Sequence, residues 1–292
     1  MLALAENCIQ DELLYKINTF VHISSSLVPI FPDVPISIYP ERHFMKLTGN
    51  TILITGGGSG IGRGLAEAFH RLGNQVIIAG RRKANLEETI AANPGMQSIE
   101  LDITDPQSIA SVARELTATW PALNVLINNA GVMHIDDLSK PVDDAMLVST
   151  LTTNLMGPVR LTGALVEHLK QQNDATIINI SSVLGFVPLA ISGVYSSTKA
   201  AIHSYTQSLR YKLKDTSVRV MEIAPPWVQT DLINSRDEPR AMPLAPFIEQ
   251  TMHELGTDAE EVLVEIARPM RNNAGPDEAA FVTQFNDQFA GV

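Results

Sequence analysis

The sequence predicts an α/β fold: one doubly wound parallel sheet with helices on both faces. Three observations carry that expectation. Short β-branched apolar runs alternate with amphipathic stretches from Thr51 onward. The runs are apolar throughout, as strands buried on both faces are, rather than alternating. The first run also ends in a glycine-rich turn, Thr55-Gly-Gly-Gly-Ser-Gly-Ile-Gly62, that opens onto a helical pattern.

The elements follow in order. Residues 51–54 read as the first strand. Ile61, Leu65, Phe69 and Leu72 then fall on one helical face, and Gly73 stops that helix. Residues 75–79 form a second strand and 84–92 a helix closed by Asn93-Pro94-Gly95. A third strand spans 97–101. Asp105-Pro106 starts a helix with proline at its first position, running to about Thr119. Residues 125–128, 176–180 and 218–223 supply three more strands, separated by long helical patterns at 142–170 and within 190–213. Right-handed crossovers between such strands give the doubly wound arrangement.

Residues 1–44 differ from the rest. Ser24–Ser26 and four prolines (Pro29, Pro32, Pro35, Pro40) break any long element. They read as an N-terminal extension, disordered or added by an upstream start, because Met45-Lys-Leu-Thr-Gly-Asn itself makes an ordinary beginning. A functional arm packing on a partner subunit is the alternative. The folded domain is expected over 45–292.

Composition narrows the function. Hydrophobic residues make up 45% and charged residues 18%, enough apolar material for a full core. A net charge of −11 argues against a nucleic-acid surface, which needs clustered Lys and Arg. The single cysteine, Cys8, rules out an internal disulfide, and a reducing cytoplasm is the default location. No stretch approaches the ~18 apolar residues of a membrane span. The seven histidines show no metal-ligand spacing, and His70, His168 and His203 read as packing or surface residues.

Two motifs carry chemistry. In the glycine-rich turn, Gly56, Gly60 and Gly62 lie between a strand and a helix whose first N–H groups are free. Such an end carries partial positive charge and binds phosphate, so it reads as a dinucleotide cradle. At the end of the second strand an NAD site places an acid. Here Ala79-Gly80-Arg81-Arg82 stands instead, and Arg81 can pair with a 2′-phosphate. NADP(H) is therefore favoured over NAD(H). A solvated loop is the bland reading of both arginines. Asp102 is placed to accept from an adenine amine or to cap its own turn. Asn128-Asn-Ala-Gly131 closes the fourth strand, to line a cofactor or to tie strands together.

The second motif is Tyr195-Ser-Ser-Thr-Lys199. Residues i and i+4 share a helix face. A nearby ammonium favours the phenolate and lowers a tyrosine pKa, which suits general acid–base work. Ser182, at the carboxyl end of the fifth strand, is placed to hold a substrate oxygen.

With these residues in place the chain resembles the short-chain dehydrogenase/reductase family, whose domain is of Rossmann type. Thr55-Gly56-x-x-x-Gly60-x-Gly62, Asn128-Asn-Ala-Gly131, Asn154, Ser182 and Tyr195-x-x-x-Lys199 carry the resemblance, over about 46–231. It implies that Tyr195 is the general acid/base, Lys199 holds the nicotinamide ribose, Ser182 orients the substrate oxygen and Asn154 holds a relay water. Pro158, lacking an N–H, would leave the Asn154 carbonyl open to that water. Cofactor contacts are implied for Gly56, Ser59, Gly60, Ile61, Gly62, Arg81, Asp102, Ile103, Asn129, Ala130, Gly131, Tyr195, Lys199, Pro225, Val228 and Thr230.

Pro225-Pro-Trp-Val-x-Thr and the C-terminus also resemble a bacterial DltE-like subgroup. There a helix over 276–290 stands in place of the family's usual seventh strand, which favours a homodimer through helices near 145–170 and 195–213. Residues 232–256 fall where the family has its substrate lid, with Thr257-Asp-Ala-Glu260 as a capping box. Met242, Leu244, Phe247, Ile248 and Met252 there fit either a pocket for a hydrophobic ketone or plain core packing. The implied activity is NADP(H)-dependent interconversion of a ketone or aldehyde with an alcohol. The alternative is a non-catalytic NADP-binding redox sensor on the same fold.

Overall fold

The computed structural model describes residues 44–289. The expectations for the N-terminal extension, and Cys8 with them, lie outside these residues.

Seven strands form one parallel sheet in the order β3-β2-β1-β4-β5-β6-β7. They are β1 (Thr51–Thr55), β2 (Gln75–Gly80), β3 (Gln97–Glu100), β4 (Leu123–Asn128), β5 (Ala175–Ile180), β6 (Val218–Ile223) and β7 (Glu261–Val262). The order reverses between β1 and β4, which leaves a crevice at the carboxyl ends of those strands, where such sheets bind ligands. The helices are α1 (Gly60–Arg71), α2 (Lys83–Ala92), α3 (Pro106–Thr119), α4 (Asp144–Leu151), α5 (Gly157–Leu169), α6 (Gly193–Leu213), α7 (Leu244–Leu255), α8 (Arg268–Arg271) and α9 (Glu278–Asp287).

Successive strand residues point to opposite faces, so the sheet carries two cores. Ile52, Ile54, Ile78 and Ile178 meet Leu65 and Phe69 of α1 and Phe247 and Ile248 of α7 on one side. Leu53, Ile77, Leu126 and Ile177 meet α3 and α5 on the other.

Three findings depart from the sequence-based expectation. First, the C-terminal helix does not replace a seventh strand; the chain has both. β7 is two residues long and pairs parallel with β6, Glu222 opposite Glu261 and Ile223 opposite Val262. A strand so short leaves no periodicity to read. Second, the supposed capping box starts no helix. The Thr257 hydroxyl donates to the Glu254 carbonyl (2.7 Å) and accepts from the Ala259 N–H (3.2 Å), closing α7 and turning the chain into β7. Third, the helical stretch 142–170 is interrupted. A π-turn (Thr152–Met156) separates α4 from α5, with the Gly157 N–H reaching back five residues to the Thr152 carbonyl. Pro158, which lacks the N–H an α-helix would use, follows directly. Gly157 is pressed so close to Ile103 that a Cβ would lie 2.6 Å from its carbonyl oxygen.

Residues 232–256 also divide. Residues 232–243 form a loop with a single 3₁₀ turn, whereas α7 packs on α1 and buries Phe247, Ile248, Thr251 and Leu255. Phe247, Ile248 and Leu255 there are core, with Leu244 and Met252 partly buried against it. Among the described residues no helix is long and apolar enough to cross a membrane.

Candidate active site

β1 ends against the glycine turn. The Gly56 and Gly57 N–H groups both donate to the Ala79 carbonyl (2.7 and 3.3 Å), pinning the turn to β2. Gly56 has φ +65° and Gly60 φ +52°, backbone that favours glycine. Gly62 has no room for a side chain, since a Cβ would stand 2.4 Å from Asn129 Nδ2 and from the Gly56 oxygen. Gly60 faces the loop after β6, a Cβ there being 3.3 Å from Thr230. The turn opens onto α1, whose first turn holds no acid and whose N-cap, Ser59, makes no side-chain cap. This is a cradle of free N–H groups at a helix N-terminus, and it fits a dinucleotide pyrophosphate.

Arg82, rather than the favoured Arg81, reaches that cradle. Its guanidinium donates to Ser59 Oγ at 2.9 Å. Arg81 is exposed and its charge acts on Asp102. Burial opposes the ionised Asp102, but bonds from the Thr104 hydroxyl (2.7 Å) and N–H (2.9 Å), with Arg81 behind them, keep its carboxyl below the ordinary range. Asp102 thus caps its own turn through Oδ1. Ile103 is buried, Ile61 packs against the core, and Val228 bridges to Met242.

The two asparagines after β4 do structural work. Asn128 Nδ2 bonds both Thr162 Oγ1 (3.0 Å) and Asn179 Oδ1 (2.8 Å), and Asn179 continues to Thr206 Oγ1 (2.9 Å). Asn129 Nδ2 donates to the Thr55 carbonyl (2.9 Å), while the Asn129 and Ala130 N–H groups both donate to Thr55 Oγ1 (3.0 Å each). These bonds hold Gly131 at the crevice, where a Cβ would lie 3.4 Å from Asn154 Oδ1 and 3.8 Å from Lys199 Nζ.

The four expected catalytic side chains converge. Tyr195 and Lys199 stand one turn apart on α6, with the Lys199 ammonium 5.5 Å from the Tyr195 ring centre. Ser182, at the end of β5, hydrogen-bonds the Tyr195 phenol. Its hydroxyl also accepts from the Leu184 N–H (3.1 Å) and approaches the Pro225 carbonyl (3.5 Å). Asn154, in the π-turn, clasps Val132 through two bonds of 2.8 Å and donates to Thr198 Oγ1 (3.2 Å). Lys199 Nζ donates to the Ile180 carbonyl at 2.8 Å.

Burial governs the protonation of this pair. Tyr195 is 7% and Lys199 4% exposed. Burial pushes the phenol up to about 12, opposed only by the Ser182 bond. Burial pushes the lysine down to about 8, opposed by the charge of Glu222. Burial thus raises the phenol where the spacing pointed to a depressed tyrosine, because a low-dielectric site penalises both charged forms.

A family model described as short chain dehydrogenase matches residues 50–241. The chain belongs to that family. An oxidoreductase, DltE, of Bacillus subtilis (strain 168) is 36% identical over 250 residues, covering 84% of this chain and 99% of that one. An NADP-dependent 3-hydroxy acid dehydrogenase of Schizosaccharomyces pombe is 34% identical over 194 residues, 64% of this chain and 74% of the yeast protein. Among solved structures, a short-chain dehydrogenase of Burkholderia cenocepacia in complex with NADP superposes with TM-score 0.73 at 26% identity, covering 82% of this chain and 98% of that one. One from Streptomyces avermitilis gives 0.72 at 25% identity, covering 85% and 99%. The dehydrogenase is thus an oxidoreductase of the nicotinamide-dependent short-chain type.

One cluster escaped the sequence. His203, one turn below Lys199, bonds the fully buried Glu222 (Nδ1 to Oε2, 2.8 Å). Glu261 of β7 joins them, with ligand atoms of the three within 4.8 Å, but it is held by Arg271 at 2.6 Å. This reads as a polar tie between α6, β6, β7 and α8 rather than as a metal centre. His203 is thus a half-buried packing residue with a polar partner in Glu222. The missed strand β7 hid the cluster.

Proposed function

We propose that this dehydrogenase interconverts a ketone or aldehyde with an alcohol, using NADP(H), with Tyr195 as general acid/base. The observation that carries the reading is the convergence of the Ser182 hydroxyl, the Tyr195 phenol and the Lys199 ammonium at the carboxyl edge, beside a free helix N-terminus. The glycine cradle and α1 would hold the pyrophosphate, and Lys199 the nicotinamide ribose. Ser59 and Arg82, with Arg81 alongside, would take the 2′-phosphate through charge-assisted bonds. NADP-bound and NADP-dependent relatives support that preference. The bound cofactor supplies the hydride.

The chain's own groups manage the proton. Ser182 and Tyr195 donate hydrogen bonds to the carbonyl oxygen, which orients it and stabilises its developing charge. As the carbon gains hydride, Tyr195 gives its proton to the oxygen and becomes a phenolate. The Lys199 ammonium stabilises that phenolate, and a water at the Asn154 carbonyl returns a proton through Lys199. Oxidation runs the same steps backward.

We also propose a homodimer through α4–α6. Val148 and Tyr211 are 52% and 69% exposed on those helices and are available to such an interface.

The test of the cofactor reading is direct binding. Arg82→Ala should raise the NADPH dissociation constant ~10–100-fold, the loss of one charge-assisted bond, and leave NADH binding within about twofold. Equal effects on both would remove the 2′-phosphate role.

A further inference from the structure

The C-terminal helix α9 lies over the catalytic edge. Phe281, Val282, Phe285, Asn286 and Phe289 form its half-buried face, and Thr283, Gln284, Asp287 and Gln288 are exposed. No residue of the helix is fully buried. That face bridges two loops that begin at neighbouring strands. Asn286 Oδ1 accepts from the Ala190 N–H (2.5 Å), and its Nδ2 donates to the Pro188 carbonyl (2.9 Å). Both residues belong to the loop that leads from Ser182 to Tyr195. On the other side the Phe289 ring lies 6.3 Å from Trp227 and 5.4 Å from Phe285. Trp227 stands two residues past Pro225, the residue whose carbonyl Ser182 approaches. Arg240 covers the indole from a further side at 5.0 Å.

Two details make this more than a packing contact. Among the described residues the Trp227 indole N–H is buried without an acceptor, which a purely space-filling tryptophan would need. The helix is also loosely attached. It follows an exposed connector through Gly275, at φ +154°, and is docked by half-buried contacts, the kind that open at low cost.

We propose that α9 is the outer wall of the substrate cleft, and that Trp227, Phe285 and Phe289 make it select carbonyl compounds bearing an aromatic ring. The proposal rests on the carbonyl-reducing reading of the same site. Flat rings stack on such a wall at offset or edge geometry, whereas short aliphatic chains gain little from it. Phe289→Ala takes the ring that meets Trp227 away, and Asn286→Ala frees the helix from the loop before Tyr195.

The experiment uses Trp120→Phe, which leaves Trp227 as the single tryptophan, saturated with NADP⁺ and titrated with acetophenone or 2-butanone. Acetophenone should change Trp227 fluorescence saturably and 2-butanone should not. Phe289→Ala should weaken acetophenone binding ~3–10-fold, the worth of an aromatic pair, with NADP⁺ affinity unchanged. In turnover the acetophenone-to-butanone ratio of kcat/KM should fall by a similar factor. Asn286→Ala, a change at a partly exposed site, should lower the same ratio and serves if Phe289→Ala does not fold. Ratios and affinities unchanged in both variants would overturn the proposal. Ketone reduction with no Trp227 response would sink the wall and spare the activity; a Trp227 response without reduction would do the opposite.

Discussion

At the residue scale the site is a contest between burial and charge. Tyr195 and Lys199 are both driven toward neutrality, to about 12 and about 8. The sign for reduction follows. Below pH 8 Lys199 is an ammonium and supports the phenolate that forms; above it that support fades. The kcat/KM for a ketone should therefore fall as pH rises through about 8, and Glu222→Gln, which removes the charge favouring the ammonium, should move that limb to lower pH. A profile flat to pH 10 would show that Lys199 does not set it. The convergence of Ser182, Tyr195 and Lys199 was legible in the sequence because it depends on local spacing: i to i+4 on one helix, and a serine just past a strand end. The arginine that meets Ser59 was not. Arg81 and Arg82 are adjacent and equally basic, and only the path of the loop after Gly80 decides which one turns toward the glycine cradle.

At the element scale the strands and helices were legible wherever they were long and apolar. β1, β2, β5 and β6 fall within about a residue of their expected bounds. What failed was short or interrupted. β7 has two residues, and its pairing with β6 is a tertiary fact with no local pattern. The π-turn at Asn154 arises from the neighbourhood of Gly157 and Pro158, which a periodicity count passes over. The polar chain Asn128–Asn179–Thr206 ties β4 and β5 to α6 beneath the catalytic residues. Asn179→Ala should cost ~1–3 kcal/mol in a urea unfolding series, the penalty for leaving buried polar partners unmatched. A loss below about 0.5 kcal/mol would mean that the network relaxes freely.

At the scale of the whole molecule, the sheet's reversal between β1 and β4 puts the cradle and the catalytic set on one edge. The loops after β5 and β6 leave the same edge, and α9 is bonded to the first of them through Asn286. The fold itself was read correctly because doubly wound sheets follow from uninterrupted apolar strands and right-handed crossovers. The loops beyond β5 and β6 were less legible, because half of the expected 232–256 lid is a helix packed in the core and α9 reaches this edge from the chain's far end. If α4–α6 pair two copies, light scattering should give twice the chain mass, and a Val148→Glu, Tyr211→Glu double variant should run as a folded monomer. A monomeric wild type would remove that interface. Tyr195 as proton donor to a carbonyl is tested by NADPH consumption with a panel of aromatic and aliphatic ketones, wild type beside Tyr195→Phe. The wild type should turn over steadily and the variant should lose ~10²–10⁴-fold, with NADPH binding retained. Full NADPH binding with no turnover of any ketone, or a Tyr195→Phe variant as active as wild type, would contradict it.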